Sequence, residues 1–292
     1  MINAQLVKEL REITGAGMMD CKRALVETNG NIDNAITWLR EKGIAKAAKK
    51  QDRIAAEGIV TFEVEGNKAL VFELNSETDF VAKNQVFLDI AHEIGQAIIK
   101  SNATNDVEAL NAEVGGVKVS DMVVNATAKI GEKISLRRVH VFQKNDSQVF
   151  GLYSHMGGKI VAFTLLEGGN EEVARNVCMH VTAMNPKYLD IASVDPADVE
   201  KEKAILTQEA LNEGKPANIV EKMVIGRVQK YLKEICLVNQ MYVKDPDITV
   251  EQYVKANNGK ILTYLRLEVG EGIEKRKDDF AAEVMAATCG CK

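Results

Sequence analysis

Few side chains in this sequence have the types and spacings that catalysis or metal binding requires. Cys289 and Cys291 are a lone pair without a second ligand pair, so we expect no zinc site there. No Gly-x4-Gly-Lys-Ser/Thr phosphate loop and no complete dinucleotide loop is present. The histidines have no metal-ligand spacing among them; they are His92, His140, His155 and His180. This pattern favours a binding protein over an enzyme.

One segment, Asn75-Ser-Glu-Thr-Asp-Phe-Val-Ala-Lys-Asn84, is a candidate contact site. A strand is expected to end and a helix to begin here, with Thr78 as N-cap and Asp79 near the positive end of the helix dipole. Phe80 either tucks beneath its own sheet or protrudes, and the residues alone favour tucking without deciding the question. For His155, in a Gly-flanked loop, a contact role and an ordinary structural role also remain open.

The elements that must position these residues follow from hydrophobic periodicity. Three short helical stripes in the first 50 residues predict a small bundle, and the Ala- and Lys-rich residues 44–55 predict an exposed helical connector. Apolar and polar residues then alternate over 60–65 and 70–75, which predicts a β-hairpin with one polar-leaning face. Helices over 86–98 and about 120–129 and a strand over 134–141 complete an α+β unit.

A second α+β unit repeats this theme. Strands are predicted over 149–153 and 160–166, and helices over 171–184 and 250–256. The stretches 125–142 and 253–269 both run helix, small polar turn, Lys-Ile and strand, which suggests duplicated halves.

Residues 195–235 are predicted to form two charged helices that break at Gly214-Lys-Pro216. Such a helical hairpin either projects as an arm or dimerisation device or packs back on the body. The sequence leaves both arrangements open.

Composition excludes several classes of protein. The chain has 292 residues, of which 46% are hydrophobic and 27% charged, as in soluble globular proteins. A formal net charge of −5 disfavours a dedicated nucleic-acid binder. Two rivals to the interpretation given below are an RNA-binding translation factor, suggested by the basic run 46–53, and an adaptor whose bundle binds peptides or ubiquitin-like partners.

The cellular compartment is also predicted from the sequence. The N-terminus lacks an apolar signal region, and no apolar run approaches the roughly 20 residues that span a bilayer. Five cysteines are too few for a disulfide framework, and we expect Cys21, Cys178 and Cys236 to be small core residues. We therefore predict a cytoplasmic protein without a membrane partner.

Over essentially its whole length the chain resembles the bacterial elongation factor Ts family. Four stretches carry the resemblance: LVKELREITGAGMMDCKRAL at 6–25, NSETDFVAKN at 75–84, AKIGEKISLRR at 128–138 and LEVGEGIEKRKDDFAAEV at 267–284. The resemblance implies an α+β fold with an N-terminal three-helix ubiquitin-associated-like bundle, a core of two similar α+β halves and an inserted antiparallel coiled-coil hairpin.

The implied domains follow the predicted elements. They are the bundle and connector at 1–55, the core N-terminal half at 56–144, the core C-terminal half at 145–194 and 236–277, the coiled-coil hairpin at 195–235, and a C-terminal element at 278–292.

The resemblance further implies a guanine nucleotide exchange factor for elongation factor Tu, in its GDP-bound and nucleotide-free states. Such a factor needs no cofactor, performs no covalent step and binds no nucleic acid directly. By resemblance, Thr78, Asp79, Phe80 and Val81 displace magnesium from the partner. The implied partner-binding residues are Arg11, Met18, Met19, His155, Asp279 and Phe280. Two copies could pair through the coiled coil, and Cys289 and Cys291 remain unassigned.

Overall fold

The computed structural model describes residues 4–14, 16–214 and 216–274. These described residues divide into two compact units, the first made of those within 4–65, 70–141 and 269–274, the second of those within 66–69 and 142–268. The elements that lie wholly or mostly in the first unit are α1 (Ala4–Thr14), α2 (Met18–Glu27), α3 (Ile32–Ala48), β1 (Glu57–Glu65), β2 (Lys68–Ser76), α4 (Asp79–Ala82), α5 (Gln85–Ile99), α6 (Asp106–Asn111), β3 (Glu113–Val114), β4 (Val117–Lys118), α7 (Val119–Ile130) and β5 (Ser135–Gln143). Those of the second unit are β6 (Gln148–His155), β7 (Ile160–Gly168), α8 (Glu171–Met184), α9 (Pro196–Asn212), α10 (Ala217–Ile235), β8 (Met241–Tyr242), β9 (Asp245–Thr249), α11 (Val250–Ala256) and β10 (Gly259–Glu268).

Helices α1, α2 and α3 form the predicted N-terminal bundle. The Asn31 side chain caps α3 by accepting the Asn34 N–H at 2.8 Å. The bundle has its own small core of buried residues: Val7, Leu10, Cys21, Ala24, Leu25 and Ala35.

The predicted helical connector over 44–55 is wrong beyond Ala48, where α3 ends. Lys133 Nζ donates to the carbonyls of Gln51 and Arg53, at 2.5 and 2.9 Å. These two carbonyls accept hydrogen bonds from a residue far along the chain and not from the next helical turn, as helix propensity alone would predict.

The first unit contains a sheet of order β1-β2-β5, so β2 is central. Leu70, Phe72 and Leu74 of β2 are fully buried in the core that the sheet forms with α5 and α7. The polar-leaning face expected for the hairpin is wrong for β2, since Glu73 and Asn75 are also fully buried. The Glu73 carboxylate and Asn75 Nδ2 are hydrogen-bonded internally, which offsets part of the cost of burial, whereas the buried Asn75 Oδ1 accepts no hydrogen bond from the described residues.

The second unit repeats the same order of elements. Its sheet is β10-β7-β6, with antiparallel pairing on both sides of β7. In both units the second strand of a hairpin is central. In both, a two-stranded pair and a helix precede the strand that joins the other edge, as β3-β4-α7-β5 and as β8-β9-α11-β10. The α+β class, the N-terminal bundle and the repeated halves are therefore as predicted.

Helices α9 and α10 form the hairpin, with a small core of Ala210, Val220 and Val224 between them. Backbone bonds join the segment before the hairpin to the residues at its end: Lys187 and Tyr188 both donate to the Ile235 carbonyl.

Within the described residues, every helix is too short or too polar to cross a membrane.

Candidate partner-binding site

The corner after β2 presents one aromatic side chain to solvent. Thr78 caps α4, because its Oγ1 accepts the Val81 N–H at 3.4 Å. Phe80 is 82% exposed, whereas Ala82 is buried and Val81 packs against the core of the first unit. Successive helical residues point about 100° apart. Since Val81 and Ala82 occupy the inward face of this single turn, Phe80 must face outward, and the tucked arrangement favoured by the residues alone is wrong.

A loop after α7 supports this corner. Glu132 accepts the Thr78 N–H at its Oε2, 2.9 Å away, and the Thr78 hydroxyl at its Oε1, 2.7 Å away. The neighbouring Lys133 N–H donates to Glu77 Oε1 at 2.6 Å. Both residues immediately before α4 are therefore bonded to the two residues that follow Gly131.

Asp79 takes part in an ion pair on the solvent side of the corner. Its carboxylate lies 2.7 Å from Lys83 Nζ, four residues along the chain. The side chains are 43% and 73% exposed. The pair therefore contributes a few tenths of a kcal/mol at most to folding and is screened by salt. The negative charge of Asp79 stays accessible to a binding partner.

The predicted contact residues of the bundle are all at its surface. Arg11 lies in the last turn of α1, and Met18 and Met19 begin α2. The two methionine side chains are 57% and 68% exposed. Neither contributes to the bundle core, which leaves them available as adaptable apolar contacts. These residues belong to the same unit as the corner.

His155 lies in the second unit, where β6 ends. Its Nδ1 is 3.3 Å from the Tyr153 hydroxyl. The Arg175 guanidinium lies 5.6 Å from the centre of the Tyr153 ring, which fixes the base of the loop. Met156 follows with a φ of +50° and is 72% exposed. The loop thus presents a ring and an apolar side chain together.

Sequence reasoning missed Glu77, Glu132, Lys133 and Met156. Glu132 and Lys133 lie inside AKIGEKISLRR, a stretch that contributed to the resemblance without suggesting a role for these two residues. Met156 was part of the predicted His155–Gly158 turn, and its position in a tight solvent-facing loop was the available signal.

Asp279, Phe280, Cys289 and Cys291 lie outside the described residues.

The chain matches both a family model and a named protein. The family model described as Elongation factor TS matches residues 77–271. A protein named Elongation factor Ts, from Acholeplasma laidlawii (strain PG-8A), is 54% identical over 290 residues, which cover 98% of each chain. The matched ranges include the corner, its supporting loop and the His155 loop.

Proposed function

The chain belongs to the elongation factor Ts family, and from this membership we propose that it is a guanine nucleotide exchange factor for elongation factor Tu in translation elongation. It acts in the cytoplasm, binds the partner's nucleotide domain and promotes GDP release so that GTP can rebind. It performs no covalent chemistry and needs no cofactor.

The observation that carries this proposal is Phe80, held 82% exposed on a one-turn helix whose other apolar residues face inward. Among the described residues Phe80 is the most exposed large apolar side chain, and an aromatic ring presented on a structured corner offers a partner a large apolar contact. Phe80 inserts between helices of the partner's nucleotide domain. Together with Thr78, Asp79 and Val81, it disturbs the loops that hold magnesium and phosphate.

The remaining predicted residues bind the same partner. Arg11, Met18 and Met19 dock the bundle on the nucleotide domain, with the exposed methionines supplying apolar area. His155 makes a separate contact from the second unit. Asp279 and Phe280 of the C-terminal element add a further one.

The action is a shift in the partner's conformational equilibrium. The factor binds the nucleotide-free partner best and thereby stabilises a conformation that holds GDP weakly. If each bound species weakens the other about a thousandfold, the coupling free energy is about 4 kcal/mol. A few well-buried anchors supply that much.

The decisive experiment mixes the purified protein with elongation factor Tu that carries fluorescent GDP, in the presence of excess unlabelled GDP. We expect fluorescence loss to accelerate with factor concentration and then saturate. A rate equal to spontaneous release at every concentration contradicts the proposal.

Pairing of two copies would use the α9–α10 hairpin, where Ile205, Ile219 and Ile225 are 45–54% exposed. Sedimentation equilibrium of the full chain, compared with a chain lacking the hairpin, tests this: a concentration-dependent dimer must disappear with the hairpin.

A further inference from the structure

Two carboxylates cross-connect the base of the corner with the loop after α7. Glu132 reaches back to the N–H and hydroxyl of Thr78, at 2.9 and 2.7 Å. In return, Glu77 accepts the main-chain N–H of Lys133 at 2.6 Å. We call these four residues, Glu77, Thr78, Glu132 and Lys133, the carboxylate clamp. Hydrogen bonds to an ionised carboxylate are shorter and stronger than neutral ones, so the clamp is a firm connection.

Helix α4 cannot hold its own geometry. It has four residues, and a single helical turn has no independent stability in water. Its capping bond, from Val81 N–H to Thr78 Oγ1, is long at 3.4 Å. The direction in which Phe80 points therefore depends on the packing of Val81 and Ala82 and on whatever fixes Thr78.

The loop that supplies Glu132 is itself fixed. Gly131 ends α7 with a φ of +89°, and the Ile134 N–H donates to Thr127 Oγ1 at 3.0 Å. Lys133 Nζ binds two carbonyls of the chain before β1, as described above. The Arg53 guanidinium in turn lies 3.2 Å from the Glu77 carboxylate. The clamp thus connects the corner to two separate parts of the first unit, α7 and the segment before β1.

We propose that Glu132 is a positioning residue, which holds Thr78 so that Phe80 is already directed outward before the partner arrives. This inference rests on the exchange function proposed above. A side chain fixed in its bound direction does not lose conformational entropy on binding, so more of the contact energy remains to stabilise the complex. Glu132 needs no contact with the partner, because it acts through Thr78 and Phe80.

A double-mutant cycle tests the dependence on Phe80. GDP release from elongation factor Tu is measured with the wild-type chain, Glu132→Ala, Phe80→Ala and the double variant. We expect Glu132→Ala to slow release about tenfold in the wild-type background, and less than about twofold when Phe80 is already alanine. No loss in the wild-type background, or an equal loss in both backgrounds, overturns the inference.

Glu108 offers a matched control in the same unit. Its carboxylate accepts both the N–H and the hydroxyl of Thr104, at 2.8 and 2.9 Å, which is the same local chemistry away from the corner. We expect Glu108→Ala to leave GDP release unchanged. A loss equal to that of Glu132→Ala would show that any missing carboxylate has this effect, and would overturn the positioning role.

Amide hydrogen exchange gives a readout independent of activity. Glu132→Ala should speed exchange at Thr78 and through α4 while the interior amides of β2 stay protected. Unchanged protection at Thr78 contradicts the clamp. If Glu132→Ala does not fold, Glu132→Gln keeps one acceptor; it should then give a smaller loss that still requires Phe80, and equal losses in both backgrounds would again overturn the proposal.

Wild-type activity separates the two hypotheses. A wild-type chain that does not speed GDP release refutes the proposed function itself. A wild-type chain that does, together with a cycle without coupling, refutes the clamp alone.

Discussion

Phe80 is the side chain whose exposure in the free protein most directly links structure to the proposed exchange activity. In the free protein it is 82% exposed, so its ring gains nothing from the core. Moving a phenylalanine side chain out of water is worth about 1.5 to 3 kcal/mol. That free energy becomes available only when a partner covers the ring.

Phe80→Ala should therefore lower the maximal rate of GDP release about tenfold or more, while the free energy of unfolding changes by no more than about 0.5 kcal/mol. Stopped-flow release and urea unfolding measure the two quantities. Val107→Ala is the matched control, since Val107 is 70% exposed in the same unit without lying at the corner. Equal GDP release by wild type and Phe80→Ala would contradict the assigned role.

His180 makes stability depend on pH. The ring is fully buried, its Nε2 lies 2.8 Å from Gln240 Oε1, and its Nδ1 accepts the Val243 N–H at 3.1 Å. Gln240 Nε2 donates to the Glu234 carbonyl, so Gln240 Oε1 faces His180 as an acceptor. Burial lowers the pKa of His180, although the bond to Gln240 opposes that shift. Burial likewise lowers the pKa of His140 in the first unit.

Because the histidine pKa is lowered in the folded state, the unfolded chain binds more protons than the folded chain at pH values near and below the ordinary histidine pKa of about 6.5. Stability is therefore fully present above that value and is lost as the pH falls through it. Urea unfolding should show a falling free energy of unfolding from about pH 7.5 to about pH 5.5. His180→Gln should reduce this slope and leave the part that His140 contributes. An unchanged slope in the variant would contradict this assignment.

Local chemistry made some residues predictable and others not. The cap at Thr78 and the three core cysteines both follow from rules that involve a few neighbouring residues. Glu132 acts on Thr78 across 54 residues, and no local rule connects them. The direction of Phe80 depends on which of its neighbours faces the core, and that was settled only by tertiary packing.

At the scale of elements, β2 shows why alternation alone misleads in a central strand. Glu73 is fully buried, and its carboxylate lies 2.7 Å from both Arg138 Nε and the Gly270 N–H. This one side chain joins β2, β5 and the start of the C-terminal segment. Burying a carboxylate costs free energy, which these partners offset together with Asn75 and Arg137.

Glu73→Ala should reduce the free energy of unfolding by about 3 kcal/mol, because it removes the buried carboxylate that accepts from Arg138, Asn75 and the Gly270 N–H, although Arg138 keeps its pair with Glu271. Glu251→Ala is the matched control: its pair with Lys255 is equally short at 2.6 Å but exposed, and should contribute less than about 1 kcal/mol. Equal losses in the two variants, measured by urea unfolding, would show that burial does not decide the strength of these pairs.

The α9–α10 hairpin depends little on the rest of its unit for its packing. Its core of Ala210, Val220 and Val224 is internal to the two helices. At its base, Asp198 accepts from both Lys187 and Tyr188, and these bonds lower the pKa of Asp198. These contacts at the base of the hairpin connect it to the rest of the second unit.

Replacing residues 200–230 with a Gly-Ser linker of about four residues should leave a folded protein, since Asp198 and Ile235 remain. Far-UV circular dichroism should lose only the signal of the removed turns, and urea unfolding should stay cooperative. A non-cooperative transition or a larger loss of signal would show that the hairpin stabilises the unit around it.

Two-residue strands such as β3, β4 and β8 lie below what periodicity detects, because alternation needs several residues to be visible. The longer elements were predicted closely: α8 and α11 have the predicted bounds. The repeated halves were also visible in the sequence, since the helix-turn-strand order survives where side chains have diverged.

For the whole molecule, the proposed function imposes a closed thermodynamic cycle with its partner. In this cycle elongation factor Tu binds GDP, the exchange factor or both. The factor must therefore weaken GDP binding by the same ratio by which GDP weakens binding of the factor.

All four equilibrium constants of that cycle can be measured by fluorescent-GDP titration and calorimetry, with and without magnesium. The two ratios must agree because the cycle is closed, and we expect Phe80→Ala to reduce this common ratio, because its ring is the contact proposed to disturb the magnesium and phosphate loops. Glu108→Ala should change neither ratio. If Phe80→Ala weakens binding of the factor equally to the GDP-bound and the nucleotide-free partner, then Phe80 supplies docking energy alone, and the exchange step depends on other residues of the chain.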